Sequence, residues 1–524
     1  MKKLLLIIAL AQLGNLTAQE AAKESNKQYR AVPEKINNLV HTKLNASFDY
    51  SQSRLNGNVW ITLKPHFYAT DSLQLDAKGM DIKQVAVVKA GKNIPLKYQY
   101  DGWVIRVKLD KSYTRNESYT VYIDYTAKPN DLEVKGSAAI TDAKGLYFIN
   151  PTGEDKNKPT QIWTQGETEA TSVWVPTIDK TNQKTTQEFN LTVPAKYVTL
   201  SNGKLVKQTL NGNGTRTDSW KMDLPHAPYL FFMGVGEYAV IKDAYKGKEV
   251  SYYVEKPYEK VARRIFGNTP EMMQYFSSKL GVDYPWIKYS QITGRDYVSG
   301  AMENTTATLH QESAQQDARE LTDGNSWEGT IAHELFHHWF GDYVTAESWS
   351  NLTVNESFAD YSEYLWAEYK QGKDEAAYIN WSAMNGYLNS PSEASKHLVR
   401  FYYDTQEDMF DAVSYSKGGR ILHMLRKYVG DDAFFASLNK YLTDNKFGTG
   451  SGHKLRMAFE AVTGKDLNWF FNQWYFNSGH PNLTLSQQYD ASAKKLMVVI
   501  KQTQTHQIYQ LPVLIDIYQG ANKK

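Results

Sequence analysis

Residues 332–340 read Ala332-His333-Glu334-Leu335-Phe336-His337-His338-Trp339-Phe340, and they set the terms for the rest of the chain. Two histidines four positions apart lie one above the other on a helix face, so both imidazoles reach a single metal ion while Glu334 points towards its water. His338 points about 100° away around the helix and is read as packing or surface. The chain contains no cysteine, so a metal here is held by histidines and carboxylates. A zinc hydrolase takes three protein ligands and keeps one position open. Glu356, separated from His337 by eighteen residues and lying in Asn355-Glu356-Ser357-Phe358-Ala359-Asp360, supplies the third from the start of the next predicted helix. One zinc per chain is therefore expected on His333, His337 and Glu356. Glu334 then takes the proton of the attacking water and later passes it to the leaving amine. Asp360 and Glu363 follow Glu356 at i+4 and i+7 on the same face. Either they accept hydrogen bonds from the free ring nitrogens of the two histidines, or they are solvated surface acids.

Helical texture extends outward from this segment. Thr269-Pro270-Glu271 is a helix start with Met273, Phe276 and Leu280 on one face and Gly281 as its stop. Helices are predicted over Trp327 to Phe340, Ser357 to Gln371 and Gly418 to Val429. Between about residues 35 and 250 the period changes to two: Val59, Ile61 and Leu63 alternate with polar or amphipathic neighbours, as do Ile105, Val107 and Leu109, and Tyr119, Val121 and Ile123. After Gly479-His480-Pro481 strands return, around Leu496 to Lys501 and Leu511 to Tyr518. The expected fold is α+β and multidomain. Residues 19–250 form an antiparallel β domain and 251–480 a mostly helical catalytic domain. Residues 481–524 open a C-terminal β domain that looks incomplete, since two strands do not close a sandwich.

At 524 residues the chain is too long for one core, and 41% hydrophobic against 22% charged residues excludes disorder. Lys2 and Lys3, the apolar run Leu4 to Leu10, and small residues up to Ala18 form a signal peptide pattern over 1–18, with cleavage near Ala18. A secreted or periplasmic protein is expected. The apolar run is too short to span a membrane, and no later segment qualifies. Removing 1–18 takes away two of the 59 basic residues and balances the 57 acidic ones, leaving no electrostatic reason for a nucleic acid partner. The triplets at Asn304 and Asn355 match a glycosylation pattern but lie inside the candidate site, so they are read as chance matches.

His333-Glu334-Leu335-Phe336-His337 with Glu356 resembles the gluzincins. Upstream, Gly300-Ala301-Met302-Glu303-Asn304 is similar to the exopeptidase motif of the alanyl aminopeptidase and leukotriene hydrolase family. Similarity runs from Thr164-Gln165-Gly166-Glu167 to Gly479-His480-Pro481. The resemblance implies a thermolysin-like catalytic domain and an aminopeptidase acting on peptides with a free N-terminus. It implies that Glu303 binds the α-amino group and that Glu167, with Gln165 beside it, is a second contact. It also implies that Tyr415 stabilises the oxyanion, a donor worth about 3 to 4 kcal/mol. Without it, Glu167 reads as a surface acid and Tyr415 as core or rim. Thr305-Thr306 stands where the family usually has Trp-Gly, and Thr168 where it often has Pro, so side-chain preference does not carry over. A bifunctional epoxide hydrolase-like member and a non-catalytic peptide-binding relative are the alternatives.

Overall fold

The computed structural model describes residues 27–524 apart from 138, 391–393, 520–521 and 524. The signal peptide segment lies outside the described residues. Among those described, no helix is long and apolar enough to cross a membrane.

The period-two segments form strands whose apolar members face inward. In Arg54–Pro65, Leu55, Val59, Ile61 and Leu63 are fully buried while Trp60 and Thr62 are half-buried. This strand sits inside an eight-stranded sheet, between Asn37–Asp49 and Tyr119–Ala127. The sheet is not purely antiparallel, as the alternation alone suggested. Thr185–Pro194 runs parallel to Asn37–Asp49, pairing Thr186 with His41 through Thr192 with Ser47. A period of two reports which face is buried and carries no information on strand direction.

A five-stranded sheet, ordered Tyr238–Tyr245, Lys248–Glu255, Lys288–Gly294, Ala307–Gln311 and Ala301–Met302, was not anticipated as strand beyond residue 255. The domain boundary expected at 250 falls within its second strand. The reason is burial: every residue of Lys288–Gly294 is buried, including Ser290, Gln291 and Thr293. A strand covered on both faces shows no alternation. Its edge, Ala301–Met302, lies antiparallel to Ala307–Gln311 and places the exopeptidase motif at the border of the sheet.

Below the sheet lie the helices Thr269–Leu280, Glu328–His337 and Thr353–Lys370. Pro270 occupies the first turn of the first, and Gly281 ends it in the left-handed region. The second and third are pinned by Phe340, whose ring stacks on Phe358 at 4.1 Å. The helix Gly418–Val429 packs on Thr353–Lys370 at its glycines: a Cβ on Gly418 would stand 1.8 Å from Ser357 Oγ. Ser357 Oγ donates to Ser414 O (2.6 Å) and has little freedom to yield. Alanine normally favours a helix over glycine by about 1 kcal/mol. Here Gly418→Ala is expected to destabilise by about 1–3 kcal/mol through overpacking. Scanning calorimetry checks the sign; a raised melting temperature would contradict so close a contact.

The strand expected around Leu496 to Lys501 forms as Lys495–Gln502, but it pairs in a hairpin with Leu483–Asp490, which was not anticipated as strand. The strand expected over Leu511 to Tyr518 does not form: only Tyr518–Gln519 is extended in a ladder. Residue 510 is instead tied to the helix Asn468–Trp474, with Gln510 N–H donating to Gln473 Oε1 (2.8 Å).

Candidate active site

His333 and His337 occupy the last two turns of Glu328–His337, and Glu356 the first turn of Thr353–Lys370. The Nε2 atoms of both histidines stand 3.4 Å from Glu356 Oε2. Each ring has its far side fixed. His333 Nδ1 donates to Glu363 Oε1 (3.0 Å), and His337 Nδ1 donates to the Phe340 carbonyl (3.0 Å). Both tautomers therefore turn Nε2 inward, the arrangement a metal-binding histidine takes. The three donor atoms lie within 4.8 Å of one another, and two imidazoles with one carboxylate are the donor set of a catalytic zinc.

Of the two acids considered as partners for these histidines, Glu363 takes the role and Asp360 does not. Asp360 Oδ2 accepts from Arg420 Nη2 (3.1 Å) on the neighbouring helix. Spacing places both on one face, but Arg420 competes for the nearer carboxylate.

Charge is concentrated here. Burial would raise Glu356, but His337 and His333 hold it down at about 2. Burial would lower His337, but Glu303 and Glu356 push it up to about 10. Burial, reinforced by Glu303 and Glu356 against the two histidines, raises Glu334 to about 8. Its Oε2 is buried without a hydrogen-bond partner.

The exopeptidase segment and the β domain meet at the same point. Glu303 and Glu167 are buried, and with Glu356 they bring carboxylate oxygens within 4.8 Å of one another. Tyr229 Oη donates to Glu303 Oε1 (3.4 Å), and Asn355 Nδ2 donates to Tyr229 Oη (3.3 Å). Glu167 Oε1 has no partner, and burial followed by Glu303 raises its carboxyl well above the ordinary range. Gln165 is engaged on both sides: Tyr297 Oη donates to its Oε1 (2.5 Å) and its Nε2 donates to Met302 Sδ (3.2 Å). It borders the acidic cluster rather than presenting a free amide to it. Gly300 carries a backbone bond from Gln311 N–H to its carbonyl (3.0 Å), and Ala301 pairs with His310. Asn304 and Asn355 are fully buried, so neither triplet is open to a glycan. Tyr415 lies in a π-helical turn, Val413–Lys417, and its ring stacks over His333 at 6.1 Å. Sequence reasoning missed Tyr229, Arg420 and the Phe340 carbonyl; none sits in a spacing that signals a role.

After the exopeptidase segment the chain turns, with Ala307 N–H donating to Asn304 O (2.7 Å), and within that turn Thr306 has φ of 67°, a left-handed conformation that is strained for a β-branched residue. Four partners hold it. Its N–H donates to His338 Nε2 (2.9 Å), its Oγ1 accepts from Gly203 N–H (2.8 Å), and its carbonyl accepts from Lys288 Nζ (2.7 Å) and Ser290 N–H (3.0 Å). His338 is fully buried, so of the two readings, packing or surface, packing holds. Burial lowers it to about 3, so its ring is neutral.

Residues 33–230 match the Peptidase M1 N-terminal domain and residues 265–474 the Peptidase family M1 domain. The chain is 27% identical over 432 residues to "Probable aminopeptidase 1" of Sulfurisphaera tokodaii, covering 80% of this chain and 51% of that protein. It spans about half the length of the curated relatives it matches. Among solved structures, a Tyr-Ser-Ala-bound M1 zinc metallopeptidase mutant from Deinococcus radiodurans superposes with a TM-score of 0.71 at 21% identity, covering 86% of this chain and 97% of that one. Legionella pneumophila aminopeptidase A in complex with aspartic acid gives 0.74 at 19%, covering 90% and 53%. At these identities the two structures speak for the fold.

Proposed function

Because the chain belongs to peptidase family M1, with both of its domain types matched in order, we propose that it is a zinc aminopeptidase releasing the N-terminal residue of peptides. One observation carries this reading: the buried carboxylates of Glu167 and Glu303 meet Glu356 at the point where His333 and His337 converge. A site for a cationic N-terminus thus adjoins a site for a metal. Zinc held by His333, His337 and Glu356 would supply Lewis acidity towards a carbonyl and a water.

The chain's own groups do the rest. Glu303 and Glu167 bind the α-ammonium, which offsets the cost of burying two neighbouring acids and fixes the first peptide bond beside Glu334. Tyr229, itself held by Asn355, sets the Glu303 carboxylate. Glu334, its Oε2 free of partners, accepts the proton of the attacking water and delivers it to the leaving amine. Burial and the surrounding acids keep the Tyr415 hydroxyl protonated, so it donates to the oxyanion.

The test is hydrolysis of a panel of aminoacyl anilides, free and N-acetylated, with and without a chelator. The expected result is fast cleavage of the free-amine set and only slow cleavage of the acetylated set, both lost on chelation and restored by zinc. Glu303→Gln should raise KM and narrow the gap between free and acetylated substrates. Equal cleavage of both sets by the unsubstituted protein would remove the amine-binding role.

A further inference from the structure

The last turn of a helix leaves its carbonyls without backbone donors. At the end of Glu328–His337 one of these is the carbonyl of Glu334, and a side chain meets it: His338 Nδ1 lies 3.2 Å from Glu334 O. The opposite nitrogen of the same ring, Nε2, is 2.9 Å from Thr306 N. A backbone N–H can only donate, so Nε2 accepts and the ring proton resides on Nδ1, where it donates to Glu334 O. One imidazole thus bridges the backbone of the proposed base and the turn that follows Glu303 and Asn304 by two residues. Asp342 Oδ2, at 3.6 Å from Nε2, is too far to compete. The ring is wedged between Tyr284 (5.7 Å, stacked) and Tyr289 (4.8 Å, edge-on) and cannot swing away without displacing one of them.

The turn has one bond of its own, from Ala307 N–H to Asn304 O (2.7 Å), and its remaining bonds come from outside it. Thr306 has its left-handed φ, and Asn304 is buried with neither side-chain polar atom partnered. Asn202 Nδ2 braces the turn at Thr305 O (2.8 Å), and Gly203 and Lys288 brace Thr306 itself, all from outside the zinc helix. His338 alone among these partners belongs to the segment that carries Glu334, so it fixes the distance from amine anchor to base.

We propose that His338 is a positioning residue: its two ring nitrogens lock the Glu303–Thr306 turn in register with Glu334, so that a substrate held by its N-terminus presents its first peptide bond to the base. This rests on the aminopeptidase reading for its kinetic consequence, and on the two ring hydrogen bonds for its structural one.

The test uses the full-length protein and three variants. His338→Phe keeps a ring between the two tyrosines and removes both bonds. His338→Asn has an amide where Nδ1 was and none at the Nε2 position, whereas His338→Gln reaches Nε2 and can still accept from Thr306. For Phe and Asn we expect kcat/KM on a free-amine anilide, per bound zinc, to fall up to ~10²-fold, as a small misplacement of reacting groups costs. The slow cleavage of the N-acetylated counterpart should be unchanged, and Gln should restore most of the difference. Amide hydrogen exchange over 303–307 should rise in Phe and Asn but not in Gln. A merely structural role would lower both substrates by one factor and leave their ratio intact. If Phe does not fold, the Asn and Gln pair decides alone. Equal behaviour of Asn and Gln, or an unchanged ratio in Phe, overturns the proposal. A wild-type protein inactive on every anilide overturns the aminopeptidase reading instead, with the exchange comparison still ruling on the lock.

Discussion

Glu334→Gln is expected to lower kcat by ~10²–10⁴-fold, the span that a positioned general base contributes. The substitution is nearly isosteric, and Oε2 makes no hydrogen bond that an amide would break. Stability should hold: burial and the neighbouring Glu303 and Glu356 lift this carboxyl to about 8, so near neutral pH the amide replaces a group that is already largely uncharged in the metal-free protein. Bound zinc should stay stoichiometric, since the Nε2 atoms of His333 and His337 and the Glu356 carboxylate are untouched. The measurement is kcat on the best anilide of the panel, with metal content determined on the same sample. Activity within a few-fold of wild type would assign the proton transfer to another group. Loss of zinc would mean that Glu334 acts on the metal rather than on the water.

His337→Ala is expected to abolish both metal binding and hydrolysis. Its Nε2 is one of three converging donors, and its cation-favouring position beside Glu356 keeps that buried carboxylate ionised. Without it, Glu356 loses the first of the partners that hold it down at about 2, and two donors remain where a catalytic zinc needs three. Glu363→Ala offers the graded comparison. Removing an acid that orients a ligand histidine typically costs ~10–100-fold in metal affinity, and the inward direction of His333 Nε2 depends on the 3.0 Å bond from Nδ1. Titration against a competing chelator should therefore rank wild type above Glu363→Ala and Glu363→Ala above His337→Ala. A His337→Ala protein that retains stoichiometric zinc would place the metal elsewhere. Asp360→Ala should leave affinity nearer wild type than Glu363→Ala does, because its carboxylate serves Arg420.

The parallel pairing of Thr185–Pro194 with Asn37–Asp49 in the β domain shows where reading from sequence stops. Inward alternation of Val59, Ile61 and Leu63 marks a strand with one covered face, and the structure has that strand. Lys288–Gly294 is equally a strand but is covered on both faces by sheet and helix, so its polar residues are buried and its period is lost. Leu511 to Tyr518 has the opposite history. Its apolar alternation is intact, yet the segment departs towards Gln473 and forms no ladder over most of its length.

The candidate site divides along the same line. The sequence by itself determined that His333, Glu334 and His337 share one helix and that Glu356 and Glu363 share the next, because helical geometry converts spacing into a face. It determined through resemblance that Glu303 and Glu167 belong beside them. Only the tertiary structure decided that Glu363 rather than Asp360 orients His333, that Tyr229 stands on Glu303, and that His338 faces Thr306. The physical reason is that each of these contacts joins segments between 30 and 74 residues apart, and competition from a third group such as Arg420 settles them. A periodic pattern records which side of an element is covered; it holds no record of what covers it.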